Sequence, residues 1–244
     1  MQRIGLLGGT SWESSAHYYA QLNRAVAERL GGLHSADLVL RSVDFAEIEE
    51  LQRAGDWAAL GARYAAEGAA LRAAGAQVVG ILANTMHLVA DEVAGGSQLP
   101  LVHIVDVVAR AARRTGAERV AVLGTRYTME SDLYPTRFAA SRLTALMPTG
   151  EDAAEVHRVI YAELVRGSVL DTSREALRGI IGRLVADGAQ AVVLACTELA
   201  MLVPTDDPSF TPVPVLDSTA LHVAALLDAA LAVDVTTHEE EGAA

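Results

Sequence analysis

Gly75-Ala76-Gln77-Val78-Val79-Gly80-Ile81-Leu82-Ala83-Asn84-Thr85 and Gly188-Ala189-Gln190-Ala191-Val192-Val193-Leu194-Ala195-Cys196-Thr197-Glu198 are two versions of one segment. Each begins on Gly-Ala-Gln, runs through a short apolar strand pattern, and ends on small polar residues that open a helix. Laid one on the other, they put Ala83 opposite Cys196. One copy carries a thiol at that place and the other a methyl.

The repeat extends outward. Arg3-Ile4-Gly5-Leu6-Leu7-Gly8-Gly9-Thr10 matches Arg119-Val120-Ala121-Val122-Leu123-Gly124-Thr125-Arg126. Pro100–Asp106 matches Pro212–Asp217, each opening a helix with its aspartate (Asp106, Asp217) as N-cap. Strands are predicted over 3–8, 37–43, 77–83, 101–105, 119–124, 191–196 and 213–216. Helices are predicted over 12–30, 56–74, 86–94, 107–115, 153–166, 173–187 and 218–231. Continuous apolar strands alternating with helices imply an α/β fold with doubly wound parallel sheets. The duplication makes it two similar domains related by a pseudo-two-fold axis, with an active site in the cleft between them. The first is expected over 1–105 plus 213–235, the second over 106–212, and an acidic disordered tail over 236–244.

Composition removes several function classes. The chain has 244 residues, 51% of them hydrophobic and 20% charged, which fits a globular protein with ample core. A net charge of −12 argues against nucleic-acid and anionic-membrane partners. No apolar run reaches the roughly 20 residues of a spanning helix, and the N-terminus lacks a signal-peptide layout. A cytoplasmic location is therefore expected. One cysteine excludes an internal disulfide framework. Every basic residue is arginine, so neither an internal pyridoxal Schiff base nor a lysine-bearing phosphate loop is available. Gly5, Gly8 and Gly9 have the wrong spacing for a dinucleotide fingerprint, and no cluster has metal-ligand spacing. No cofactor and no metal are expected.

Ligands of open parallel sheets bind beyond the carboxyl ends of the strands. Four strand-end loops are placed there: Gly8-Gly9-Thr10-Ser11, Ala83-Asn84-Thr85, Gly124 to Thr128, and Cys196-Thr197-Glu198. Free N–H groups of the following helices, with side-chain donors from Asn84, Thr85, Thr125, Thr128 and Thr197, suit a small carboxylate ligand. Cys196 at a helix N-terminus is expected to have a lowered pKa. Glu198 either orients a substrate ammonium group or holds the loop. His87 is read as packing, with ligand contact as the alternative, and His103 as a core residue of a strand.

The motifs Gly8-Gly9-Thr10-Ser11-Trp12-Glu13-Ser14, His34-Ser35-Ala36, Ser42-Val43-Asp44-Phe45, Asn84-Thr85-Met86-His87, Leu123–Glu130 and Cys196-Thr197-Glu198 resemble the aspartate/glutamate racemase family, most closely its broad-specificity amino-acid racemase branch. The resemblance runs from Met1 to about Leu231. It implies cofactor-independent racemisation of an acidic amino acid between two pseudo-symmetric domains, and a homodimer. It assigns Cys196 the acid/base role. Gly9, Thr10, Gln52, Asn84, Thr85, Thr125, Thr128, Thr197 and Glu198 fall on substrate-binding positions, with Gln52 near the substrate side chain. Arg166 lies in the region where some members place a basic side chain. The departure is Ala83, where most members carry cysteine and some threonine. Alanine has no transferable proton.

Four readings follow from that departure. The first is a racemase working through Cys196, with water, Thr85 or His87 replacing the missing acid. The second is a one-sided proton-transfer enzyme resembling the single-cysteine decarboxylases of the same superfamily. The third is a ligand-binding relative that has lost turnover. The fourth is an engineered substitution at position 83.

Overall fold

A computed structural model describes residues 1–232. The acidic tail expected over 236–244 lies outside them. The chain divides into two compact units. Among the described residues, one comprises Met1–Leu82, Val89–Val102 and 223–232; the other comprises Ala83–Leu88 and His103–His222.

In the first unit β1 (Ile4–Gly8) is central, with β2 (Leu38–Ser42) on one side and β3 (Val78–Ile81) on the other, all parallel. The helices are α1 (Trp12–Leu30), α2 (Phe45–Ala54), α3 (Trp57–Ala73) and α4 (Ala90–Ser97). In the second unit β4 (Arg119–Gly124) lies between β5 (Thr144–Leu146) and β6 (Ala191–Ala195), with β7 (Val215–Asp217) beyond β6, again all parallel. Its helices are α5 (Ile104–Arg114), α6 (Arg126–Met129), α7 (Leu133–Ala140), α8 (Gly150–Arg158) and α9 (Asp171–Ala186). The last helix, α10 (Ser218–Leu231), starts in the second unit and continues into the first, where Val223, Leu226 and Ala230 join Ile4 and Leu6 in the core.

Alternation along the inner strands explains their unbroken apolar sequence. Val120, Val122, Ala191 and Val193 pack into a cluster with α5 and α7. Their neighbours Ala121, Leu123, Val192 and Leu194 pack into a second cluster with residues of α8 and α9. A strand covered on both faces has no polar position to offer.

The Gly-Ala-Gln repeat performs one local task in both units. α3 and α9 each end on a glycine in the left-handed region, Gly75 at φ 87° and Gly188 at φ 98°. The Gly75 and Ala76 N–H groups bond the carbonyls of Arg72 and Leu71, and Gly188 and Ala189 bond Val185 and Leu184 in the same way. This pairing satisfies the last helical carbonyls and turns the chain back toward the sheet. The glutamine then fastens the new strand to the first one. Gln77 Oε1 accepts from the Arg3 N–H at 3.0 Å, and Gln190 Oε1 from the Arg119 N–H at 3.1 Å.

The proline repeat has a different register from the one expected. The Val79 N–H bonds the Pro100 carbonyl and the Val192 N–H bonds the Pro214 carbonyl, both at 2.9 Å. Pro100 therefore corresponds to Pro214, not Pro212, and His103 to Asp217. His103 is accordingly not a strand residue: its Nδ1 accepts from the Val105 N–H as the N-cap of α5. Asp106 is not a cap; it lies in the first turn of α5, and both its carboxylate oxygens accept from Arg137 Nη1. Asp217 does cap, accepting from the Thr219 N–H at 2.8 Å. The strand expected over 101–105 shrinks to one parallel bridge, Val79 to Leu101, because the cap at His103 stops it. With that bridge, the strand order of the two sheets is the same.

Candidate active site

Most of the predicted site residues belong to the second unit. Ala83 to Leu88 leave β3 and are counted with that unit. Side chains hold the segment there at three points. Asn84 bonds Tyr134 and Ser218. Thr85 Oγ1 lies 2.8 Å from Thr128 Oγ1 and 3.0 Å from Thr125 Oγ1. His87 bonds the backbone on both sides of its ring.

The three threonines bring hydroxyls from two loops together. Thr125 and Thr128 themselves are 3.5 Å apart across the one-turn helix α6. Thr128 and Thr85 are buried and Thr125 is half-buried. Each hydroxyl rotates freely, so its proton can point within the trio or toward an acceptor beside it. An oxyanion placed there would receive O–H donors without any cation.

His87 is fixed in one tautomer. The Ile104 N–H points at its Nε2 at 3.2 Å, so that nitrogen is the acceptor. Nδ1 therefore carries the hydrogen and donates to the Ala83 carbonyl at 3.0 Å. Burial, together with nearby His103 and His222, pushes its pKa well below that of an ordinary histidine. Both ring nitrogens are committed, which leaves His87 a packing and anchoring residue rather than a proton donor to ligand.

Cys196 follows β6, with an extended backbone, and caps a five-residue 3₁₀ turn, Thr197–Met201. Its Sγ–H donates to Glu198 Oε2 at 3.0 Å, and Thr197 Oγ1–H donates to the same oxygen at 2.5 Å. The thiol has some solvent access, but surrounding residues remove most of its hydration. Burial, then the charge of Glu198 and its hydrogen bond, push the thiol pKa well above the ordinary value. The expected lowering is overturned. A one-turn helix has almost no dipole, and the N–H groups of Thr197 and Glu198 are outweighed by a carboxylate in direct contact. The resting group is thus a protonated thiol. Since it is the chain's only cysteine, thiolate ultraviolet absorbance reports it alone. The titration is expected above the free-thiol range. Glu198→Gln, by removing the negative charge, is expected to move it to lower pH; an unmoved titration would show that Glu198 does not set it.

The short helices also change the anion argument. The loops at Asn84, Thr125 and Cys196 open turns of four or five residues, so side-chain hydroxyls and amides carry the polar character there. In the first unit, Gly9 and Thr10 precede the full-length α1, but the Gly9 N–H already donates to Ser15 Oγ at 2.8 Å. A Cβ on Gly9 would meet the Val43 carbonyl oxygen at 2.2 Å, which requires glycine there. The Thr10 side chain hydrogen-bonds the buried Tyr64 phenol. Gln52 is buried on α2. Arg166 is exposed in a 3₁₀ turn (Leu164–Arg166), which follows a π-helical turn (Val159–Glu163) where a continuous helix was expected. Among the described residues, no group of three or more His, Cys, Asp or Glu side chains is placed to hold a metal ion. No helix among them is long and apolar enough to cross a membrane.

Similarity to known proteins bears on this arrangement. The sequence profile of the family described as Asp/Glu/hydantoin racemase matches residues 7–226. The chain is similar to a candidate Asp/Glu racemase from Yersinia pestis, with 42% identity over 95% of this chain and 100% of that one and a TM-score of 0.87. It is also similar to an aspartate racemase homologue from Pyrococcus horikoshii OT3, with 31% identity, coverage of 94% and 99%, and a TM-score of 0.81. The aspartate racemase of Picrophilus torridus, at 19% identity, 94% coverage of both chains and a TM-score of 0.66, shares the fold.

Proposed function

The chain belongs to the Asp/Glu/hydantoin racemase family, and from that premise we propose that it moves the α-proton of an acidic amino acid through Cys196 without a cofactor. The observation that carries this reading is the Cys196–Glu198 contact. It supplies a thiol and, within 3.0 Å of it, a negative charge that answers to substrate. When an amino acid brings its ammonium group toward Glu198, the carboxylate no longer holds the thiol pKa up. The thiol proton passes to water, leaving a thiolate beside a carboxylate held by the ammonium group. The thiolate then takes the α-proton, becoming a thiol again and leaving a carbanion at the α-carbon. Asn84 and the threonine trio are the donors that stabilise the charge spreading onto the substrate carboxylate, a preorganised polar site.

Inversion needs a proton on the opposite face, and Ala83 has none to give. The commitments of His87 favour water as that donor. The consequence is asymmetric exchange. The enantiomer whose α-hydrogen faces Cys196 exchanges with solvent on the Cys196 side faster than it inverts. Incubating L- and D-aspartate and glutamate in deuterium oxide separates the two events. The expected result is α-deuteration of one enantiomer running ahead of inversion. Binding without any α-exchange would overturn the reading in favour of a non-catalytic relative.

A further inference from the structure

A buried chain of hydrogen bonds reaches Asn84 from residues that the reaction itself does not use. The Tyr134 O–H donates to Asn84 Oδ1 at 2.7 Å, Asn84 Nδ2 donates to Ser218 Oγ at 3.0 Å, and the Ser218 O–H donates to the Leu194 carbonyl at 2.6 Å. Tyr134 and Ser218 have no solvent exposure and Asn84 has 5%. Three elements thereby meet at one amide: α7 through Tyr134, α10 through Ser218, and β6 through Leu194, two residues before Cys196.

The direction of the whole chain follows from its last member. A main-chain carbonyl can only accept. Ser218 has one hydroxyl hydrogen, and Leu194 takes it. Ser218 therefore offers Asn84 a lone pair, so the Asn84 nitrogen must face Ser218. The Asn84 oxygen then faces Tyr134, whose phenol must donate. One of the two amide hydrogens is used on Ser218, and the other is left for a ligand. A flipped amide would set its oxygen against the lone pairs of Ser218 and would turn the Tyr134 hydroxyl from donor to acceptor. Edge-on packing of Tyr134 against Phe138, centroids 5.2 Å apart at 83°, holds the phenol ring in place.

We propose that Tyr134 and Ser218 are positioning residues that fix the polarity of the Asn84 amide, so that its remaining N–H is presented to the substrate carboxylate. This rests on the racemase reading for the identity of the ligand, but not for the orientation of the amide. The carbonyl of Leu194 thus sets, through two side chains, which atom of Asn84 meets substrate. Substrate affinity is tied in this way to the strand that delivers the thiol.

Tyr134→Phe and Ser218→Ala test it by two readouts. The first is the kinetic split in aspartate or glutamate racemisation. Loss of a defined donor raises KM about 10- to 100-fold through weaker carboxylate binding, and lowers kcat as well, because the same N–H stabilises the charge that develops in the reaction. The second is independent of turnover: the side-chain amide ¹⁵N–¹H pair of Asn84, identified by its disappearance in Asn84→Asp. In the unsubstituted protein the two amide protons are expected as distinct, slowly exchanging signals. In each variant they broaden or exchange as the amide gains a second orientation. Unchanged amide signals together with an unchanged KM in Tyr134→Phe would overturn the inference. If that variant does not fold, the smaller change in Ser218→Ala decides by the same criteria. Amide signals that respond in a protein showing no α-exchange would sink the racemase reading and leave the positioning role standing.

Discussion

Cys196→Ser lowers α-proton exchange of the preferred enantiomer by about 10²- to 10⁴-fold, the range over which a positioned acid/base group acts. The substitution keeps size and hydrogen-bonding capacity, so Glu198 still finds a donor at the same place. What changes is acidity: an alcohol beside a carboxylate does not ionise near neutral pH, whereas a thiol relieved of that charge does. The unfolding free energy is expected to stay within about 1 kcal/mol of the unsubstituted protein, since Cys196 packs only at the margin of its core cluster. Loss of exchange with stability retained identifies the thiol as the proton carrier. Exchange that persists in Cys196→Ser would assign the chemistry to another group, and the pairing with Glu198 would then be structural.

Ala83→Cys acts in the opposite sense. It is expected to raise inversion of aspartate or glutamate by about 10²-fold, followed by the decay of optical rotation from either pure enantiomer. Racemisation has no thermodynamic preference, so kcat/KM must be equal in the two directions before and after the change. The diagnostic is therefore the relation between exchange and inversion. With alanine, one enantiomer exchanges ahead of its inversion. With cysteine, both enantiomers exchange and inversion keeps pace. Ala83 is only partly buried, and His87 holds its carbonyl rather than its side chain, so a thiol can be accepted without moving the loop. Ala83→Thr is expected to give a smaller gain, since a hydroxyl is a poor proton donor at neutral pH. If neither substitution accelerates inversion, the missing acid is not what limits this protein.

The fold was legible because its signals are local. Gly75-Ala76-Gln77 and Gly188-Ala189-Gln190 encode a left-handed helix end, an apolar contact and a strand clamp in three consecutive residues. Buried strands announce themselves by lacking polar positions. β5 was missed because three edge residues make too short a pattern. α2 was missed although Asp44, its N-cap, was there to be read. At the site, sequence placed Cys196, Asn84 and the threonines on strand-end loops, but not their electrostatics. The raised thiol pKa depends on burial and on Glu198 folding back over two residues, a matter of packing and backbone angles. His103 looked like a strand residue because a buried N-cap and a strand share the same apolar surroundings. Tyr134 and Ser218 lie 50 and 134 positions from Asn84, and nothing in a single sequence links them to it.

The passage of the chain between units has a consequence for how the protein is made. It crosses at Leu82–Ala83, Leu88–Val89, Val102–His103 and His222–Val223, so no single cut yields both units intact. Ile4 and Leu6 are synthesised before the rest of their unit, yet their core is closed by Val223, Leu226 and Ala230, more than two hundred positions later. Closing so long a loop is entropically slow, and its contacts form only after the intervening segments have condensed. During synthesis the unit that carries Cys196 can complete its sheet before the first unit has its final helix. The strand β1 then emerges long before it is buried.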